Sequence, residues 1–364
     1  MNVSREMLAG MLRRHEPVRE VTLTSELLDG LDVRNAIFEQ VRFVDLSLAR
    51  WDLSGTTFVN CDLGGARLPA VQLDNSQFLK CQLSGADLTG ACGGPTSFVE
   101  SALIGVRLSG AQLRGAAFMM CDASRVKLDG ASLSDAALTQ TSMGGACLLG
   151  AVFDNVLWSG ADLATTDLSR ARFSRVVFHD LVLMSRSVSG VSFTGCNFPG
   201  AQLEGVELRE CNLAGANFTH AQLVGCDLSH AQLEAAIFAE ATARDCKLVR
   251  AQACSSVWAK ATLIGCSFLG ARMEKAFLRQ ALIEGCVFDD ASLEFGDLSH
   301  TKTRGVSFQG ARLHRATIHG SDLSQAALRD AVTTGLVLTD PVLAATERAA
   351  LAHQRQPSTA EVCS

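Results

Sequence analysis

Apolar residues in this chain recur at every fifth position and hold that spacing almost from end to end. Leu or Phe falls at numbers ending in 3 and 8, as in Leu63, Leu68, Leu73, Phe78, Leu83 and Leu88. A small residue stands two places earlier, as in Cys61, Ala66, Val71, Ser76, Cys81 and Ala86. From Leu23 to Leu338 there are 64 such centres, 34 of them Leu and 16 Phe, and no insertion breaks the phase. Gly93, Thr303 and Thr333 are the weakest centres. A period of five suits neither a helix, whose faces repeat every 3.6 residues, nor a strand, whose faces repeat every second residue. One large and one small apolar residue per pentad predicts a coil that turns a corner at each pentad.

The aromatic positions set the size of that coil. Phe38, Phe58, Phe78, Phe98 and Phe118 are 20 apart, and after Leu138 and Trp158 the column resumes at Phe178, Phe198, Phe218 and Phe238. Phe153, Phe173 and Phe193 form a second column, and Phe268, Phe288 and Phe308 a third. Rings stack this way only if residues 20 apart are neighbours, which means four pentads per coil. About 16 coils at about 4.8 Å each predict a rod about 75 Å long. The units themselves, such as Ala86-Asp87-Leu88-Thr89-Gly90 and the preceding Gln82-Leu83-Ser84-Gly85, resemble the pentapeptide-repeat family, whose unit is A(D/N)LxX. The resemblance covers roughly residues 21–340. It implies an all-β fold, a right-handed quadrilateral parallel β-helix solenoid, with the Leu/Phe and the small residue pointing inward.

A stacked coil has open edges, and solenoids cover them with caps. Residues 4–16 predict a short amphipathic helix with Ser4 as N-cap, Met7, Leu8, Met11 and Leu12 on its apolar side, and Pro17 after it. Asp340 as N-cap and Pro341 at the first helical position predict a second helix, with Leu343 and Leu351 available to cover the last coil. The expected organisation is therefore a helical cap over 1–20, the solenoid over 21–340, a capping helix over 341–356 and a disordered tail over 357–364.

Three places break the pattern. Glu26 and Trp51 occupy small inward positions, so either the regular coil begins after about residue 31 or the first helix alters its opening. Gly93-Gly94-Pro95 weakens one coil without shifting the phase. Arg186 also falls on a small inward position, and a buried unpaired Arg is too costly to keep, which predicts a bulge or a change of twist over 184–189.

Composition narrows the function classes. Charged residues are 19% of the 364, there is no Tyr, and the net charge of −6 lacks the basic footprint of a nucleic-acid binder. No apolar run approaches the length of a membrane span, and the N-terminus lacks the apolar core of a signal peptide. The thirteen Cys show neither metal spacing nor a secreted-domain framework, so a cytoplasmic chain with reduced thiols is expected. Cys226, Cys246, Cys266 and Cys286 share one inward column, as do Cys61, Cys81 and Cys121, where a thiol substitutes for Ala. The eight His are His15, His179, His220, His230, His300, His314, His319 and His353, and those within the repeats fall on outward positions on several sides. No catalytic residue, metal set, cofactor site or small-molecule cleft is expected, and the chain does not read as an enzyme.

What remains is an asymmetry between the four sides. Outward residues are the one before each centre and the two after it. On the side that runs from Phe38 to Leu278 these are unusually apolar. One column is Val59, Leu79, Val99 and Met119; another is Ala137, Leu157, Val177 and, after two Asn, Ile237, Val257 and Phe277. A contiguous apolar stripe marks an interface, although Val and Leu also suit a flat ladder for local reasons. The leading expectation is a bacterial scaffold that binds a protein partner, or its own copy, through this side. The family resemblance adds two others: an accessory or effector of a bacterial secretion system such as type VI, and a DNA mimic that binds DNA gyrase, as fluoroquinolone-resistance members do. Mimicry needs strongly negative faces, whereas here Arg107, Lys127, Arg172, Lys247, Arg272, Lys302 and Arg312 are interleaved with the acids.

Overall fold

The computed structural model describes residues 3–161 and 163–354, with side chains through Glu347. Its backbone is a ladder with a 20-residue stride. Parallel pairs run from Val18↔Phe38 to Thr317↔Val337, a span of about sixteen coils. Each side of the square donates and accepts between coils: the Leu63 N–H donates to the Gln82 carbonyl at 2.7 Å, and the Gln82 N–H to the Cys61 carbonyl at 2.9 Å. The centres and the small residues two places earlier fill one continuous buried core. The Phe columns stack as their spacing requires. Phe58–Phe78, Phe78–Phe98 and Phe98–Phe118 have ring centroids 4.8, 4.9 and 5.0 Å apart. The column that restarts at Phe178 ends with Trp258 stacked 4.1 Å from Phe238.

The corner falls at numbers ending in 0 or 5, where φ is positive along most of the rod. Two kinds of pentad make it. In one, the centre's carbonyl accepts from the N–H three residues on, as Leu63 does from Ala66 at 3.1 Å, closing a turn with Gly65 at φ 67. That is the signature of a type II turn, which favours Pro at its first central position, and Pro69 and Pro199 occupy that place. In the other kind the chain stays extended over three residues before the corner, as in Thr57–Val59. Large or β-branched residues follow the centre there (Val59, Leu79, Val99, Met119), whereas Gly64, Pro69, Asp74 and Ser84 follow it in the turn pentads.

The extended pentads change sides. A nine-stranded parallel sheet occupies one side from Val18–Arg19 to Val177–His179. From Val182–Met184 to Lys302–Arg304 a seven-stranded sheet occupies the next side of the square. A three-stranded sheet, Val152–Asp154, Arg172–Ser174 and Ser192–Thr194, flanks the change on the preceding side. The first side continues past residue 180 only as isolated bridges. Arg186 sits at this change. The ladder gains no residue there, since Met184 pairs with Glu204 and Ser187 with Glu207, so the expected bulge is corrected. The side chain is half-buried, with Nε and Nη1 shielded from solvent, and its Nη2 donates to the Thr166 carbonyl of the preceding coil at 2.7 Å.

The ends differ from each other. Helix α1 (Arg5–Arg13) is capped by Ser4, whose hydroxyl accepts from the Met7 N–H, and it buries Leu8 and Leu12. Met7 is exposed, so the apolar side is narrower than expected. The ladder starts at Val18, well before residue 31, and a single helical turn α2 (Ser25–Leu28) replaces one corner. That turn swings Glu26 into solvent and packs Leu28 inward, while Trp51 is only half-buried. Gly93 keeps the phase, and a Cβ there would lie 2.8 Å from the backbone of Leu73 and Asp74, so only Gly fits. Helix α3 (Pro341–Gln354) begins at Asp340, whose Oδ1 accepts from the N–H groups of Val342 at 2.8 Å and Leu343 at 3.1 Å. Leu343 is 48% exposed and does not cover the last coil, where Leu338 is 64% exposed. The side chain of Leu351 and residues 357–364, expected as tail, lie outside the described residues.

Candidate interaction surface

The apolar columns sit on the nine-stranded side and its continuation. Val59, Leu79, Val99 and Met119 pair in succession, so their side chains form one row along consecutive strands. Leu79 and Met119 are exposed, and Val59 and Val99 are half-buried. Thr139 ends this row. The second column lies two residues away across the same strands and is not one stripe. Leu157 pairs with Val177, then Asn197 and Asn217 intervene, and Ile237, Val257 and Phe277 follow as bridges. Leu157 and Phe277 are the exposed members. The side thus carries three separate apolar groups. The structure adds a further group on the next side, where Val182, Met184 and Val224 are exposed around Leu203. Its signal in the sequence is the wholly apolar stretch Leu181-Val182-Leu183-Met184.

Charges elsewhere on the rod include opposite-sign pairs between successive coils. Lys80 faces Glu100 at 3.5 Å, Arg107 faces Asp87 at 3.0 Å, and Lys260 faces Glu240 at 3.8 Å, each 20 residues apart. Exposed pairs of this kind contribute at most about 1 kcal/mol each, and their consequence is a nearly neutral surface.

The described buried thiols are held by main-chain acceptors. Buried Cys61, Cys81, Cys121, Cys226, Cys246, Cys266 and Cys286 donate to main-chain carbonyls, as Cys61 Sγ does to Phe38 at 3.3 Å. Burial in the apolar interior pushes Cys196 and Cys211 up to about 12. Cys254 is pushed to about 11, by partial burial and then by its hydrogen bond to Glu274 Oε2 at 2.9 Å. A thiolate is the reactive form, and these settings disfavour it.

The histidines depart from expectation at one place. His319 points outward from its coil, yet α3 lies over it and leaves it 7% exposed. Its Nε2 is 3.1 Å from Glu347 Oε2, and His300 Nε2 is 3.5 Å from Glu347 Oε1. The Asp340 N–H donates to His319 Nδ1 at 3.1 Å. That fixed donor requires Nδ1 to accept, so the proton sits on Nε2 and is donated to Glu347. The hydrogen bond from His319 holds the Glu347 carboxyl below its ordinary value. Sequence reasoning missed this cluster because Glu347 reaches it from α3, 28 residues beyond His319.

A family model described as pentapeptide repeats matches the chain in eight copies, over 52–90, 107–145, 118–155, 146–180, 189–221, 216–252 and 291–330, which together span more than half of its length. The chain belongs to the pentapeptide-repeat family. No curated protein matches it. Among solved structures this pentapeptide-repeat chain is similar to HetL of the cyanobacterium Nostoc sp. strain PCC 7120, a protein of heterocyst differentiation regulation. The identity is 22% over 68% of this chain and 89% of that one, with a TM-score of 0.23. It is similar also to QnrB1, a plasmid-mediated fluoroquinolone resistance protein, at 19% identity over 66% of this chain and 97% of that one, with a TM-score of 0.27. The A-module of the mannuronan C-5 epimerase AlgE6 of Azotobacter vinelandii matches at 12% identity over 93% of this chain and 95% of that one, with a TM-score of 0.21. At these scores none of the three says what this chain binds or does. Among the described residues no helix is long and apolar enough to cross a membrane.

Proposed function

We propose that this protein is a non-enzymatic scaffold that binds a protein partner, or a second copy of itself, through the row Val59, Leu79, Val99 and Met119. The observation that carries this reading is the row itself: four large apolar side chains on consecutive paired strands of one flat sheet, two of them exposed. An apolar row backed by a rigid stack keeps its shape on binding, so little ordering entropy opposes association. The groups at Leu157–Val177 and at Ile237, Val257 and Phe277 extend the same side and would serve as secondary contacts. The cross-coil ion pairs weigh against the DNA-mimic reading, since a mimic needs an unbroken negative face and each of these pairs sets a cation beside an acid.

The test is Val99→Glu combined with Met119→Glu. The two new carboxylates stand next to each other on the outward face, beside Glu100, and leave the interior unchanged. Native mass and light scattering of the purified chain, together with affinity capture, should show loss of the self-assembly or of the captured partner at unchanged far-UV circular dichroism. An assembly that survives the double substitution intact would refute the reading.

A further inference from the structure

We infer that His300, His319 and Glu347 form a binding site for a divalent transition metal, with Zn²⁺ the best chemical match, that staples helix α3 to the solenoid. The three residues each offer one ligand atom, and these atoms all lie within 4.8 Å of one another. Two of the separations are 3.1 and 3.5 Å. The two imidazoles face different oxygens of the one carboxylate. With metal–nitrogen and metal–oxygen bonds of about 2.0–2.1 Å, neighbouring ligands of a tetrahedral ion are about 3.3 Å apart, so the set has to draw inward from separations of up to 4.8 Å to hold one ion. Two imidazoles and a carboxylate are a borderline-soft donor set that suits Zn²⁺ and not Mg²⁺ or Ca²⁺, which take all-oxygen sites. Three protein ligands leave the fourth position to water.

The scaffold holds two of the ligands in place. His300 and His319 come from successive coils, and their rings meet edge to face at 5.1 Å and 83°. His319 is buried under α3, so its ring has little freedom to lose when it binds. Glu347 arrives from α3, which makes the site a joint between the cap and the rod.

The hydrogen bonds around His319 state what binding must rearrange. In this structure Nε2 carries the proton and Nδ1 accepts from the Asp340 N–H. Ligation through Nε2 moves the ring proton to Nδ1, so the imidazole stays neutral and the Asp340 hydrogen bond is given up. Two hydrogen bonds, Asp340 N–H to Nδ1 and Nε2–H to the Glu347 carboxylate, are exchanged for metal–ligand bonds, and that carboxylate is already ionised at neutral pH.

The experiment titrates Co²⁺, then Zn²⁺, into the full chain under reducing conditions, following visible absorption and calorimetry. One equivalent of Co²⁺ should give the visible bands of a tetrahedral nitrogen–oxygen site without the near-ultraviolet bands of thiolate ligation, and Zn²⁺ should displace it. Glu347→Gln, on a half-exposed helix position, and His319→Ala should each weaken affinity by more than about 100-fold, beyond the 10–100-fold typical of an outer-shell change. No binding, binding with thiolate bands, or affinity unchanged in Glu347→Gln would overturn the inference. Because Glu347→Gln leaves the coils untouched, a folding defect in His319→Ala would not mask the answer.

Discussion

Phe98→Ala tests the coil assignment most directly. Phe98 is fully buried, with Phe78 stacked 4.9 Å away on one side and Phe118 5.0 Å away on the other. Truncating a buried Phe to Ala costs about 3–5 kcal/mol, counting lost transfer energy and the cavity left behind. Each stacked pair contributes about 0.5–1.5 kcal/mol beyond its buried area, and two pairs are lost here, so the upper half of that range is expected. The control is the same substitution at Phe295, which stands at a corner, is 48% exposed and meets His314 edge to face at 5.8 Å. Phe295→Ala should stay within about 0.5 kcal/mol of the parent, as exposed substitutions do. Urea unfolding followed by circular dichroism gives both differences. Native-state amide exchange locates the first, which should be concentrated in the coils around 78–119, because each coil contacts only its neighbours. If Phe98→Ala cost no more than Phe295→Ala, residues 20 apart would not be stacked and the coil size would be wrong.

Other outcomes follow from single positions. Gly93→Ala should cost about 1–3 kcal/mol, since its Cβ would press on the backbone of Leu73 and Asp74 at 2.8 Å, and thermal unfolding reads this. Met120 holds φ 53, a conformation that costs an L-residue about 1–2 kcal/mol, so Met120→Gly should gain about 0.5–1 kcal/mol once the greater chain entropy of Gly is subtracted. Glu347 has a folded pKa lowered from 4.5, so its contact with His319 is fully present above 4.5 and is lost as pH falls through the lower folded value. The protection factors of the α3 amides should therefore fall below pH 4.5, and Glu347→Gln should flatten that dependence.

Much of the site was legible in the chain and some of it was not. The row Val59, Leu79, Val99 and Met119 followed from the period alone, because residues 20 apart on an extended side must be neighbours. The large residues after the centre also marked where the sheet moves: Met184, Val224 and Ile264 follow their centres on the second side, while Pro199 and Ala239 replace them on the first. Arg186 was correctly marked as an irregular position, but the response is a half-buried side chain bonded to the preceding coil and a change of side, not an inserted residue.

The five-residue period and the 20-residue aromatic columns by themselves determined the fold, the coil size, the phase and the identity of the interior, because the ladder joins each pentad to those 20 residues before and after it. Tertiary structure alone decided the rest. The burial of His319 and its meeting with Glu347 depend on where α3 folds back over the last coils, a contact that no local repeat encodes.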